Sequence, residues 1–144
     1  MPVEETKARM RRVAELVKTG DLRIVDEFVA PEFVRHDLSG GPDLKGPDGV
    51  KLIVAGLRAA FPDIEMVIED VIAEGDKVVV RYTARGTHLG QFSGLAPTGK
   101  QVTWAGINIY RGENGKAVET WQLADRLGMM QQMGIIPPMG QAGG

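Results

Sequence analysis

"IEMVIEDVIAEGDKVVVRYTARGTH", residues 64–88, reads as two β-strands folded about a Gly75-Asp76 turn. From Ile64 onward apolar residues recur with period two; before it they recur at helical spacing, so the chain changes character here. "QVTWAGINIYRGENGKAVETWQLAD", residues 101–125, repeats the pattern around Asn114-Gly115, the dipeptide that type I′ hairpins favour. Upstream, Met10, Val13, Ala14 and Val17 mark one helix face, with Pro2 in the first turn and Gly20 as the stop. Asp21 caps a short second helix that turns Leu22, Val25, Phe28 and Val29 inward and closes at Pro31. "HDLSGGPDLKG", residues 36–46, has loop composition. A third helix starts near Pro47 and lays Val50, Ile53, Val54, Leu57 and Phe61 along one stripe before Pro62. "RLGMMQQMG", residues 126–134, makes a short amphipathic helix. Helices followed by a run of antiparallel strands predict an α+β domain, with helices packed on one face of a sheet and a cavity between the layers. One domain is expected over residues 1–136, with a flexible tail over 137–144.

Composition narrows the function classes. At 144 residues the chain suits one compact domain, and 43% hydrophobic with 25% charged residues is ordinary for a globular protein. A formal net charge of -2 with no basic block argues against nucleic acid as a partner. There is no cysteine, which removes disulfides, thiol nucleophiles and thiolate metal sites together. The two histidines, His36 and His88, lack an i, i+4 partner, so no metal is expected. "MPVEETKARMRRV" has no signal-peptide apolar run and no stretch is long enough to span a membrane, so the expected setting is cytoplasmic without membrane association.

One stretch imitates a nucleotide site. "GLAPTGKQ", residues 94–101, carries Gly94, Gly99 and Lys100 at P-loop spacing. Gln101 replaces the magnesium-binding hydroxyl, and a strand follows instead of the helix whose N-terminus would hold the phosphates. The segment is therefore read as a long strand-to-strand connection, and connections of that length often form lids or binding loops.

The last strand carries the most informative acid. Alternation puts Glu119, Trp121, Leu123 and Asp125 on one face and Val118, Thr120, Gln122 and Ala124 on the other. With the Trp121 face toward the helices, Asp125 sits beside large apolar groups, and lost hydration raises its pKa toward the range of general acid–base work. The alternative is that Asp125 caps the helix that follows. Trp104, Gly106, Asn108 and Tyr110 share a face of the neighbouring strand. Tyr82 lies with Val78 and Val80, opposite Arg81, Thr83 and Arg85. Either of those faces can meet the cavity; if it is the arginine face, Arg81 can pair with Glu119 or Asp125. Met129, Met130 and Met133 read as core or interface filler.

Three runs together, "FVAPEFVRHD", "VVVRYTARGTHLGQFSGLAPTGKQVTWAGINIYR" and "NGKAVETWQLADRLGMMQQMG", resemble the SnoaL-like polyketide (ester) cyclases over about residues 13–134. The G-T-H-x-G…P-T-G-K and E-x-W-x-x-x-D patterns carry the likeness. The resemblance implies an NTF2-like cone: a curved antiparallel sheet, N-terminal helices packed on its concave face, and an enclosed pocket, usually in a homodimer. It implies cofactor-free aldol ring closure of a small hydrophobic polyketide methyl ester, as in antibiotic biosynthesis. It places the glycine- and proline-rich loop at the cavity mouth and assigns acid–base work to Asp125 with His88. The substrate-binding residues it suggests, together with the strand faces above, are His36, Arg81, Tyr82, Trp104, Asn108, Glu119 and Trp121. The chain departs from the family pattern on one strand, where Asn108 and Tyr110 stand and a histidine is expected. Rival readings are a hydrolase, isomerase, hydroxylase component or pericyclic cyclase on the same fold, or a non-catalytic ligand-binding module.

Overall fold

A computed structural model describes residues 3–138 and Gly140. Four helices, α1 (Val3–Thr19), α2 (Arg23–Phe28), α3 (Gly46–Ala60) and α4 (Arg126–Gln132), surround six strands. The strands are β1 (Val29–Asp37), β2 (Leu44–Lys45), β3 (Glu65–Glu74), β4 (Lys77–Thr87), β5 (Gln101–Glu113) and β6 (Lys116–Ala124). They form one sheet in the order β2-β1-β6-β5-β4-β3, antiparallel throughout except for the parallel β1–β6 pair. This is the expected α+β architecture of a curved sheet with helices on its inner face.

The hairpins form where the turn chemistry predicts. Asn114 and Gly115 both adopt positive φ, 52° and 78°, the backbone that a type I′ turn requires. Strand β1 is a correction to the sequence reading, which ended a helix at Pro31 and made residues 36–46 a loop. Pro31 cannot donate to a ladder, but it falls where the β1–β6 register shifts between Val29 and Val34, so no ladder bond is lost there. The partner strand lies some eighty residues away, a pairing that local periodicity does not encode. Asp21, expected as the cap of α2, lies one residue before it: the N-cap is Leu22, which has no side-chain cap bond. The Asp21 Oδ1 accepts the Arg23 N–H at 3.2 Å in the turn that leads in. Pro2, expected in the first turn of α1, lies outside the described residues, as do Met139 and residues 141–144 of the expected tail.

Two apolar clusters join the layers. Val17, Phe61, Ile64, Tyr82, Trp104, Met129 and Met133 pack between the helices and the middle strands. Leu16, Ile24, Val25, Val29, Phe33 and Val54 pack around α2 and the start of β1. Met129 and Met133 are thus core residues. Phe61, fully buried, lies 5.1 Å from Trp104, 5.5 Å from Phe92 and 5.6 Å from His88 between ring centroids, tilted against each. The segment 88–100 contains no helix and leads straight into β5, so the P-loop imitation is a connection. Leu89 and Gly90 N–H groups bond the Ala60 carbonyl at 3.0 and 3.1 Å, which ties this loop to the end of α3. A Cβ at Gly90 would overlap the Ala59 carbonyl, so only glycine permits that approach.

Candidate functional site

Between the helices and the inner face of the sheet lies a cavity of about 610 Å³. Its helix side is mainly apolar, with Met10, Val13 and Val17 of α1 and Val50, Ile53 and Leu57 of α3, and Thr6 and Arg9 as the polar residues of α1. Gln91, Phe92 and Ser93 of the β4–β5 loop also line it. That size suits a drug-sized organic ligand.

The sheet side is different, and strand register explains why. Arg35 on β1 stands opposite Thr120 on β6, which stands opposite Tyr110 on β5. Two residues along, Asp37, Gln122 and Asn108 form a second row on the same face. Tyr82 of β4 faces Gly106, where a Cβ would overlap its hydroxyl. The glycine thus makes room for the ring. A polar patch three strands wide is set into an otherwise apolar wall.

Hydrogen bonds divide this patch into a fixed part and an open part. The Asp37 side chain is only 3% exposed. It accepts from Ser39 N–H at 2.8 Å and Gln122 Nε2 at 2.5 Å, and pairs with Arg126 at 3.2 Å. Burial pushes its pKa up, but the Ser39 N–H, the Arg126 charge, Gln122 and Arg35 outweigh it, leaving the carboxyl below its ordinary value. Asp37 is a held anion. Asn108 Nδ2 donates to the Tyr110 hydroxyl at 3.1 Å, while its buried Oδ1 has no partner among the described residues. Burial raises the pKa of Tyr110, and raises that of Tyr82 to about 12, so both remain neutral hydroxyl donors.

The predicted site residues separate into two groups. Tyr82, Trp104 and Asn108 line the cavity. The face carrying Trp121 is the outer one, because Val118, Thr120 and Gln122 are the buried residues of β6. This corrects the expectation of a buried Asp125. Its side chain is exposed, and its Oδ1 accepts the Gly128 N–H at 2.9 Å, capping α4. Glu119, Trp121 and His36 share the outer face. His36 bonds Glu119 at 2.7 Å and Asp43 at 3.0 Å and stacks on Trp121 at 5.7 Å. Arg81 also points outward and pairs with Asp70 at 2.6 Å, not with Glu119 or Asp125. His88 is fully buried behind Phe61, and Thr98 N–H and Oγ1 both reach its Nδ1, so it ties the loop together from within.

Arg35, Gln122 and Arg126 are cavity residues that the sequence reading left out. Arg35 fell between the helix read as closing at Pro31 and the loop read from His36, and Gln122 was hidden by the unresolved choice of face. The alternation in Arg35-His36-Asp37 was the available signal: in a strand it sends the histidine to the opposite side from its neighbours.

The same architecture recurs in solved structures, and the family follows from sequence. The family model of SnoaL-like polyketide cyclases matches residues 7–133. The chain belongs to the SnoaL-like polyketide cyclase family. It is 28% identical to aklanonic acid methyl ester cyclase AcmA of Streptomyces galilaeus, over 92% of each chain. With aklanonic acid methyl ester cyclase DauD of Streptomyces sp. (strain C5) it shares 30% identity over 87% of this chain and 79% of the relative. The crystal structure of AclR from Streptomyces galilaeus superposes with a TM-score of 0.82 at 29% identity, covering 97% of this chain and 87% of AclR. Among the described residues of this SnoaL-like protein, no helix is long and apolar enough to cross a membrane.

Proposed function

We propose that this SnoaL-like protein closes a ring within a polyketide by intramolecular aldol addition, using acid–base groups and no cofactor. The observation that carries this reading is the two-sided cavity: a mainly apolar helix side to fold a flexible chain, facing a polar sheet side to hold its oxygens. The relatives named as methyl ester cyclases supply the substrate class. A proton between two carbonyls is already acidic, so a carboxylate suffices to remove it. In this reading Asp125 takes the α-proton, the enolate carbon bonds to a ketone carbon of the same molecule, and the Asp125 carboxyl returns the proton to the new alkoxide. Mass is unchanged. One fact favours Asp125 over Asp37 for this step: Asp37 spends its oxygens on three partners, whereas Asp125 makes its cap bond through one oxygen. Asp125 is exposed and does not itself line the cavity, so this role requires its side chain to leave the cap and turn inward past its lining neighbours Ala124 and Arg126. Tyr82, Tyr110 and Asn108 orient substrate oxygens, and His88 supports the loop without moving protons.

The test is mass-resolved product analysis on a panel of polyketide methyl esters, with wild type and Asp125→Asn side by side. An isomer of unchanged mass is expected from the wild type, with kcat lowered about 10²–10⁴-fold in the variant. A product heavier by one water means hydration instead, and one lighter by CH2, with methanol released, means hydrolysis of the ester. The cap bond of Asp125 favours one second reading, in which the cavity acts only as a folding template. Its signature is an isomer formed equally fast by both proteins.

A further inference from the structure

The charges around the cavity do not match those of the whole chain. The protein carries a net charge of -2. Yet among the described residues its cavity is lined by Arg9, Arg35, Lys77, Lys116 and Arg126 against the single carboxylate of Asp76. Most of these cations have other business. Arg9 binds the Gly115 carbonyl and Glu5, Lys116 binds the Asp26 carbonyl, Arg126 pairs with Asp37, and Lys77 stands exposed beside the β3–β4 turn. Arg9, Arg35 and Arg126 are the half-buried ones, and of these Arg35 alone makes no hydrogen bond or ion pair to any described residue. Burial works against its charge and lowers its pKa, more than nearby Asp37 and the two tyrosines offset. A guanidinium stays protonated even so.

A desolvated cation without a partner is costly, and a binding site is where such a cost is repaid by a ligand. Tyr110 shares its row, accepts from Asn108 and has its own O–H left to give. We infer that the ligand of this cavity carries an ionised oxygen, a carboxylate or the enolate of a β-dicarbonyl, which docks against Arg35 and the Tyr110 hydroxyl. This rests on the cyclase reading only for the polyketide class; the anion preference follows from the charges. It makes the acidic oxygen, rather than an ester group, the handle by which the substrate is oriented along the sheet.

Two matched probe pairs test this by equilibrium binding at neutral pH. One is anthraquinone-2-carboxylate with its methyl ester. The other is 2-hydroxy-1,4-naphthoquinone, ionised as a vinylogous carboxylate, with its methyl ether. The wild type is expected to prefer the anion of at least one pair by about tenfold or more. Preference in the first pair alone identifies a carboxylate; in the second alone, an enolate. In Arg35→Met, which keeps the aliphatic volume and breaks no hydrogen bond, that preference collapses while the uncharged probe binds within about threefold of wild type. Arg35→Lys keeps part of it, as a point charge without the planar fork. No anion preference in the wild type, or one that survives Arg35→Met, overturns the inference. Failure of ring closure in the product assay, with the anion preference intact, removes the cyclase reading alone.

Discussion

The two faces of the central sheet carry similar residue types and treat them oppositely. Outside, most charges of the described residues have a partner: His36 with Glu119 and Asp43, Arg111 with Glu119 and Glu113, Arg81 with Asp70, Arg85 with Glu65. Inside, under the helices, Arg35 has no hydrogen bond or ion pair to a described residue, only the more distant charge of Asp37, and the Asn108 carbonyl oxygen has no partner among them. Solvent can satisfy an unpaired group on the outer face, so nothing is gained by leaving one there. On the inner face an unpaired group costs stability, and where it lines the cavity a ligand can offset that cost. His88 Nε2, buried and without a partner among the described residues, lies outside the cavity lining. Unspent hydrogen-bonding capacity on the cavity wall, rather than residue type, marks the site.

The largest way to break this contrast is to remove an aromatic anchor from each side. Phe61 is fully buried among three rings, and Phe61→Ala should cost about 3–5 kcal/mol by urea denaturation. Trp121→Ala removes a half-buried ring stacked on one imidazole and should cost about 0.5–1.5 kcal/mol of pairing, plus part of its burial. Equal losses would mean that the outer face is itself covered.

A smaller effect compares two carboxylate pairings. Asp37→Asn weakens three interactions at a side chain 3% exposed and should lower stability by about 1.5–3 kcal/mol. Arg81→Ala breaks an exposed pair and should cost no more than about 1 kcal/mol. Because the Asp37 pKa is lowered on folding, its contribution is present above the ordinary carboxylate value of about 3.9 and lost as pH falls through its native value. Denaturation at pH 7 and pH 3 checks both points: the difference between wild type and Asp37→Asn should shrink at the lower pH.

Legibility in the sequence followed the range of the contacts. Both long hairpins, α1, α3 and α4 were readable, because Gly75-Asp76, Asn114-Gly115, Pro47 and the stripe from Val50 to Phe61 are local signals. Strand β1 was not, because its partner is β6 and Pro31 argues for a break. With β1 went Arg35 and Asp37, and with them half of the polar patch. Tyr82, Trp104 and Asn108 were found by strand alternation together with the family resemblance. Glu119 and Trp121 were drawn to the wrong side because alternation fixes which residues share a face, and only packing decides which face is covered; His36 came from the family resemblance, in a stretch read as a loop.

The smallest expected effect concerns pH and the outer cluster alone. Hydrogen bonding to Glu119 raises the His36 pKa; burial opposes this and Asp43 adds to it. The same bond lowers that of Glu119, against burial and with help from Arg111. His36 therefore contributes stability that is fully present below its unfolded value of about 6.5 and fades as pH rises through its raised native value. Glu119 contributes above its unfolded value of about 4.3 and loses it as pH falls. The pair is strongest between those two limits, so wild-type Tm should fall relative to His36→Gln as pH climbs above 6.5, by the small amount an exposed ion pair supplies. Ring closure should keep its rate in His36→Gln, since this histidine faces away from the cavity. A large fall in kcat without a fall in Tm would place the outer face in the chemistry and erase the distinction between the two sides of the sheet.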